Sequence, residues 1–246
     1  MPNDPMPALP PADDIDWIFF DAGNTLVHLD FRRVADILRD DFGFTGDPSA
    51  MEDAEPRARL TVDWSRVDSG EERERWRNYF WTILSAGGWA DRARIPEVLR
   101  IIFSRNQVFT LWSRPARAAA ETLEQLADLG YRCAVISNSD GSVEGMLQHL
   151  GLTKHLRFVI DSHVVGVEKP DPRIFRMALE RSGAAAARSL YVGDMFHIDV
   201  VGARGAGLHA ALVDPQELHG EKDCARVREV AELPARLARK AGRPRT

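Results

Sequence analysis

Asp21 follows the apolar run Ile18-Phe19-Phe20 and precedes the small residues Ala22, Gly23, Asn24 and Thr25. An aspartate with an ordinary pKa of about 3.9 is ionised at neutral pH, so it can attack a phosphorus centre without a base beside it. What it lacks is relief from the repulsion of an anionic substrate, which a bound cation and backbone amides supply. Further along, Asp194 and Asp199 set two carboxylates five residues apart across a strand-to-helix turn that opens with Gly193. Three acids at neighbouring strand ends need a cation to ionise together, and an all-oxygen ligand set suits Mg²⁺. Lys169 precedes Pro170-Asp171-Pro172, where Asp171 is placed to cap a helix and Pro172 to start it. Its charge faces the positive end of that helix, which is unfavourable unless an anion compensates. Ser137 closes another apolar run just before a helix, where a hydroxyl and free amides can hold an anion.

Each residue also has a plainer reading. Asp21 and Gly23 fit a turn, Ser137 a cap, Lys169 a solvated cation, and Asp199 a first-turn acid favoured by the helix dipole. The elements around them decide between these readings. Apolar runs at residues 15–20, 132–137, 158–160, 190–192 and 209–213 read as buried strands. Amphipathic segments at about 115–129, 142–150, 172–182 and 198–206 read as helices, several of them closed by glycine. Strand and helix alternating in this way predict an α/β fold with a doubly wound parallel sheet, in which ligands sit at the carboxyl ends of the strands. Those ends carry Asp21, Ser137-Asn138, the Lys169 loop and Gly193-Asp194.

Between the first two strands, residues 31–112 are helical in pattern, with Val34, Ile37, Leu38 and Phe42 in one run and Trp76, Phe80, Ile83 and Leu84 in another. The segment is too long for a loop and predicts an inserted all-helical domain. Residues 1–13 hold five prolines and few apolar anchors and read as a disordered lead-in, and residues 241–246 read as a basic tail.

Composition narrows the function. The chain has 246 residues, 44% hydrophobic, with a formal net charge of −5 and no basic face, so nucleic acid is not an expected partner. Its two cysteines, Cys133 and Cys224, make neither a disulfide framework nor a metal-binding spacing. No stretch has the pattern of a signal peptide or a membrane span. A soluble cytoplasmic protein, monomer or homodimer, acting on a small molecule is the expectation.

The ordered set Asp21-Ala22-Gly23-Asn24-Thr25, Ser137, Lys169-Pro170-Asp171-Pro172 and Gly193-Asp194 with Asp199 resembles the four motifs of the haloacid dehalogenase superfamily. The resemblance covers residues 14–30 and 113–215, and it implies a Rossmann-like core of 14–30 and 113–240 with a helical cap at 31–112. By that resemblance Asp21 would be the nucleophile that forms an aspartyl-phosphate. Thr25, Ser137 and the adjoining Asn138 would bind the phosphoryl group, and Lys169 would hold substrate and Asp21. Mg²⁺ would be bound by Asp21, Asp194 and the Gly23 carbonyl, with Asp199 supporting the metal or Lys169. A Mg²⁺-dependent phosphatase acting on a small phosphorylated metabolite is the reading this implies.

One position departs from the pattern. Phosphatases of the superfamily usually carry a second Asp two residues after the first, as general acid and base, and this chain has Gly23 there. Losing such assistance costs about 10² to 10⁴ in rate. His197 and His28 are the nearby side chains able to supply a proton near neutral pH. Asn24 stands where the family usually has Gly, an exchange Asn tolerates because it adopts positive φ more readily than other residues. Two alternatives remain: a dehalogenase of the same fold, whose relatives also lack the second Asp, and a non-catalytic phosphate-binding relative.

Overall fold

The computed structural model describes residues 7–61, 72–106 and 111–238. Contacts divide the chain into two units, one running to His28 and resuming at Pro115, the other spanning Leu29–Arg114.

The first unit is built on strands β1 (Trp17–Phe20), β4 (Arg132–Ser137), β5 (Leu156–Asp161), β6 (Ser189–Gly193), β7 (His209–Val213) and β8 (Ala225–Val227), in the order β5-β4-β1-β6-β7-β8 with every neighbouring pair parallel. All four residues of β1 are buried, as a central strand covered on both faces requires. Its last residue, Phe20, is in register with Val135 on one side and Val192 on the other. The chain winds outward from β1 in both directions, to β4 and β5 on one side and to β6, β7 and β8 on the other. Connections therefore diverge beside β1, and the crevice at its carboxyl end is the switch point of the sheet.

Trp17 and Phe19 stack at 5.6 Å between ring centroids, and Phe158 lies against both. Each such buried ring contributes about 1.5–3 kcal/mol. Helix α8 (Pro172–Ser182) starts as its sequence dictates: Asp171 accepts from Arg173 N, Pro172 takes the first position, and Gly183 ends it at φ 65°. Helices α5 (Ala119–Asp128), α6 (Val143–His149), α7 (Ser162–Val165), α9 (Val201–Gly205) and α10 (Leu233–Arg236) complete the unit.

The second unit holds α1 (Phe31–Phe42), α2 (Pro48–Leu60), α3 (Glu72–Ala86) and α4 (Ile95–Asn106). They share a core of Leu38, Met51, Phe80, Leu84, Val98 and Ile102. Asp30 caps α1 by accepting from Arg32 N and Arg33 N, and Gly43 closes it at φ 67°. The chain enters and leaves this unit through β2 (Val27–Leu29) and β3 (Trp112–Pro115), which pair as a separate two-stranded sheet.

Several expectations are corrected. Helix α2 was not foreseen, because its sequence alternates charge and alanine too finely to show an apolar face and carries Pro56 inside. Strand β8 is three residues long, too short for a periodic signal. The helix expected at 198–206 is a π-type turn over Phe196–Val200 followed by the shorter α9. Order reaches further toward the N-terminus than residue 14: Ala12–Asp14 form a 3₁₀ turn, and Tyr131 Oη donates to the Ala12 carbonyl at 3.2 Å. Residues 1–6 and the tail at 241–246 lie outside the described residues.

Candidate active site

β1 delivers Asp21 to the switch point. Its backbone N–H donates to Val192 O at 2.9 Å, continuing the ladder one residue past the strand. The chain then folds tightly on itself: Ala22 O accepts from Leu26 N and Val27 N, both at 2.9 Å, and Asn24 takes φ 51° with its N–H on Val27 O. A left-handed residue is needed there, and Asn meets the need that Gly usually meets. The turn buries Thr25, whose Oγ1 has no hydrogen-bond partner among the described residues. A buried hydroxyl left unpaired costs free energy unless a ligand satisfies it.

Lys169 is 3% exposed and spends all three of its N–H groups on this site. Nζ donates to Asp21 Oδ1 at 2.7 Å, to Asp199 Oδ1 at 2.7 Å and to Tyr191 Oη at 2.8 Å. Asp194 is buried beside them, and one carboxylate oxygen from each of Asp21, Asp194 and Asp199 lies within 4.8 Å of the others. Fully ionised, three carboxylates against one ammonium would carry an excess of two negative charges, 3 − 1. Burial, Asp199 and Asp194 push Asp21 up to about 7, against the pull of Lys169. The expectation of an aspartate ionised simply by its ordinary pKa is thus corrected, since desolvation withholds the charge that a nearby cation would restore. The residues fit a hard divalent ion, being all-oxygen, buried and short of positive charge.

Asp199 accepts from Lys169 Nζ and Tyr191 Oη at Oδ1, and from Met195 N at Oδ2, at 2.9 Å. With both oxygens engaged, it supports Lys169 and the turn. Gly193 is required for this packing, because a Cβ there would come within 2.5 Å of Asp199 Oδ2.

Ser137 is buried at the end of β4, next to β1. Two of the amides after it are already engaged: Gly141 N and Val143 N both donate to Asp161 Oδ2, at 3.0 and 3.4 Å. Asn138, expected to bind substrate, instead donates from Nδ2 to Lys169 O at 2.9 Å and accepts at Oδ1 from Lys169 N at 2.8 Å. Both ends of its amide are committed, so it fixes the Lys169 backbone. His197 is exposed with its ring edge-on to Phe196, and His28 is half-buried in β2. Sequence reading missed Tyr191. Its signal was available, because a tyrosine in a strand buried on both faces must find a partner for its hydroxyl.

Relatives and solved structures agree with this architecture. Haloacid dehalogenase-like hydrolase domain-containing protein 3 of Mus musculus is 36% identical over 130 residues, 51% of this chain and 52% of the relative. Glyceraldehyde 3-phosphate phosphatase of Methanothermobacter thermautotrophicus is 39% identical over 126 residues, 51% of this chain and 55% of the relative. The chain thus spans about half the length of these relatives. A HAD phosphatase from Thermococcus onnurineus superposes with a TM-score of 0.58 at 22% identity, covering 92% of this chain and 99% of that one. The L-2-haloacid dehalogenase of Xanthobacter autotrophicus superposes with a TM-score of 0.57 at 21% identity, covering 90% and 97%. Fold alone therefore does not separate the two chemistries. A model of the haloacid dehalogenase-like hydrolase family matches residues 15–207, a span that takes in every strand from β1 to β6, and the chain is a member of that family.

Proposed function

We propose that this hydrolase is a Mg²⁺-dependent phosphatase acting on a small phosphorylated metabolite, with Asp21 as the nucleophile. The observation that carries the reading is the buried excess of negative charge around Lys169, which a divalent ion would balance. Asp21, Asp194 and the Gly23 carbonyl would hold the ion, with Asp199 behind them. When bound, it would screen the carboxylates from the phosphoryl oxygens and polarise the phosphorus.

The chain's own groups divide the remaining work. Lys169 holds Asp21 Oδ1, so Oδ2 is the oxygen turned to attack. An Asp21 oxygen bonds to phosphorus as the ester P–O bond breaks, and the departing alkoxide takes up a proton. Water then attacks the same phosphorus and gives up a proton to solvent as the P–O bond to Asp21 breaks, releasing phosphate and the Asp21 carboxylate. The Thr25 hydroxyl, with no partner among the described residues, donates to a phosphoryl oxygen, and Ser137 assists from β4. Gly23 offers no proton, so either the leaving group is one stable enough to depart as an anion, or a histidine such as His197 or His28 protonates it. We place the helical unit Leu29–Arg114 as the cap that selects substrates, and the protein in a reducing cytoplasm, in keeping with two free, buried cysteines. No helix among the described residues is long and apolar enough to cross a membrane.

Gly23 also suits a dehalogenase, which needs no second acid. Such an enzyme has no use for a buried surplus of carboxylates, and Asp194 counts against it. Purified protein tested on a panel of phosphorylated metabolites and 2-haloacids, with MgCl₂ or with EDTA, separates the readings. Phosphate release that EDTA stops and Asp21→Asn abolishes is expected. Halide release indifferent to EDTA would replace this reading with the other.

A further inference from the structure

Tyr191 lies within β6 at 0% exposure, its ring edge-on to Phe175 at 5.1 Å between centroids. Its hydroxyl accepts from Lys169 Nζ at 2.8 Å. The single phenolic proton has two acceptors, Ile136 O at 3.0 Å and Asp199 Oδ1 at 3.2 Å. One oxygen therefore joins three separate parts of the site: β4 beside Ser137, the Lys169 loop, and the turn that follows β6.

We infer that Tyr191 is a positioning residue that aims the Lys169 ammonium at Asp21 Oδ1. The inference rests on the reading of Asp21 as the nucleophile. An ammonium at the end of a four-carbon stem carries three N–H groups in tetrahedral array, and two of them are met by carboxylates. The third needs an acceptor, because Lys169 is buried and an unpaired donor there is costly. A third carboxylate would enlarge the negative excess, whereas a phenol accepts without adding charge. With that acceptor removed, the ammonium is free to turn between Asp21 and Asp199. Asp21 then loses the fixed partner that orients its attacking oxygen. A misplacement of about 1 Å at such a point costs up to about a hundredfold in rate.

Tyr191→Phe keeps the ring and removes only the hydroxyl. With p-nitrophenyl phosphate and MgCl₂, kcat should fall about tenfold or more while KM stays within about threefold, the split expected when orientation and not binding is lost. Phe175→Leu is the control: it removes the ring contact, keeps the hydroxyl, and should leave kcat within about twofold of wild type. A second reading needs no turnover. The chain has four lysines, and in ¹⁵N-lysine spectra the Lys169 ammonium should give an exchange-protected signal in wild type that Tyr191→Phe loses. If Tyr191→Phe does not fold, protein grown on 3-fluorotyrosine keeps the packing but weakens the acceptor, and the same loss of kcat and of signal is expected. Unchanged kcat together with an unchanged ammonium signal overturns the inference. Undiminished hydrolysis by Asp21→Asn would end the reading of Asp21 as the nucleophile instead, and the ammonium signal would still report on Tyr191.

Discussion

Two buried charge clusters stand at the carboxyl edge of the same sheet, and they are unlike. Beyond β7, Asp214 is 4% exposed and fully occupied: Oδ1 accepts from Leu218 N at 2.9 Å, and Oδ2 from His219 N at 3.3 Å and Arg226 Nη1 at 3.1 Å. Arg226 also reaches Gly220 O, closing the loop between β7 and β8. One carboxylate meets one guanidinium there, and the charge balances. Beyond β1 and β6, three carboxylates meet one ammonium, and a hydroxyl on Thr25 has no partner among the described residues. Burial of charge is common to both clusters, so burial does not mark function. The imbalance does, because full ionisation of the three carboxylates needs a cation beyond Lys169.

The comparison can be broken by exchanging single residues on each side. The largest effect is expected for Asp21→Asn, which should cut turnover by roughly 10⁴-fold or more while the protein remains folded, checked by phosphate release and circular dichroism. Arg226→Met should do the reverse. It strands Asp214 as an unpaired buried charge, so urea unfolding should show a loss of about 3–5 kcal/mol with kcat per folded molecule unchanged. Should Arg226→Met lose activity and Asp21→Asn lose only stability, the assignment of the two clusters would be inverted.

Three smaller effects sharpen the contrast. With Gly23 in place of a general acid, p-nitrophenyl phosphate should outpace an alkyl phosphate by about 10²-fold or more in kcat/KM, and equal rates would show that another residue delivers the proton. MgCl₂ at about a hundred times its dissociation constant should stabilise the wild type by about 2.7 kcal/mol in thermal unfolding, and Asp194→Ala should lose that gain while Arg226→Met keeps it. An effect confined to alkaline pH concerns Cys133, whose thiol burial pushes up to about 12, with Arg157 pulling the other way. An unfolded thiol ionises near 8.5, roughly, so above that pH the unfolded chain has released a proton that the native state keeps. Stability should then fall as pH rises from about 8.5 to 12, by up to about 1.4 kcal/mol per pH unit, and show no such contribution below. Urea midpoints of wild type and Cys133→Ala across that range measure it.

What the sequence made legible follows from where the physics is local. Asp171-Pro172 announces the start of α8 because cap and proline act within two residues, and Asn24 fits its left-handed turn for an equally local reason. The same local signal, Asp47-Pro48, opens α2, but the segment behind it lacks an apolar stripe to sustain the inference. The site was legible to the extent that its residues sit at strand ends: Asp21, Lys169, Asp194 and Asp199 meet where the alternation of elements put them. Their division of labour was not legible. That Asn138 clamps a backbone, that Asp161 occupies the amides after Ser137, and that Tyr191 is the third partner of Lys169 depend on contacts between residues 18 to 31 positions apart. Gly193 belongs to the same class, since its lack of a side chain matters only once Asp199 has folded back against it.

The central claim is that Asp21 carries the phosphoryl group, and acid quenching during turnover tests it most directly. Protein mixed with p-nitrophenyl phosphate and MgCl₂, stopped in acid and digested, should yield the peptide containing Asp21 with one added phosphoryl group, absent when EDTA is included. Steady turnover with that peptide never modified, or with the group found on another residue, would contradict the account.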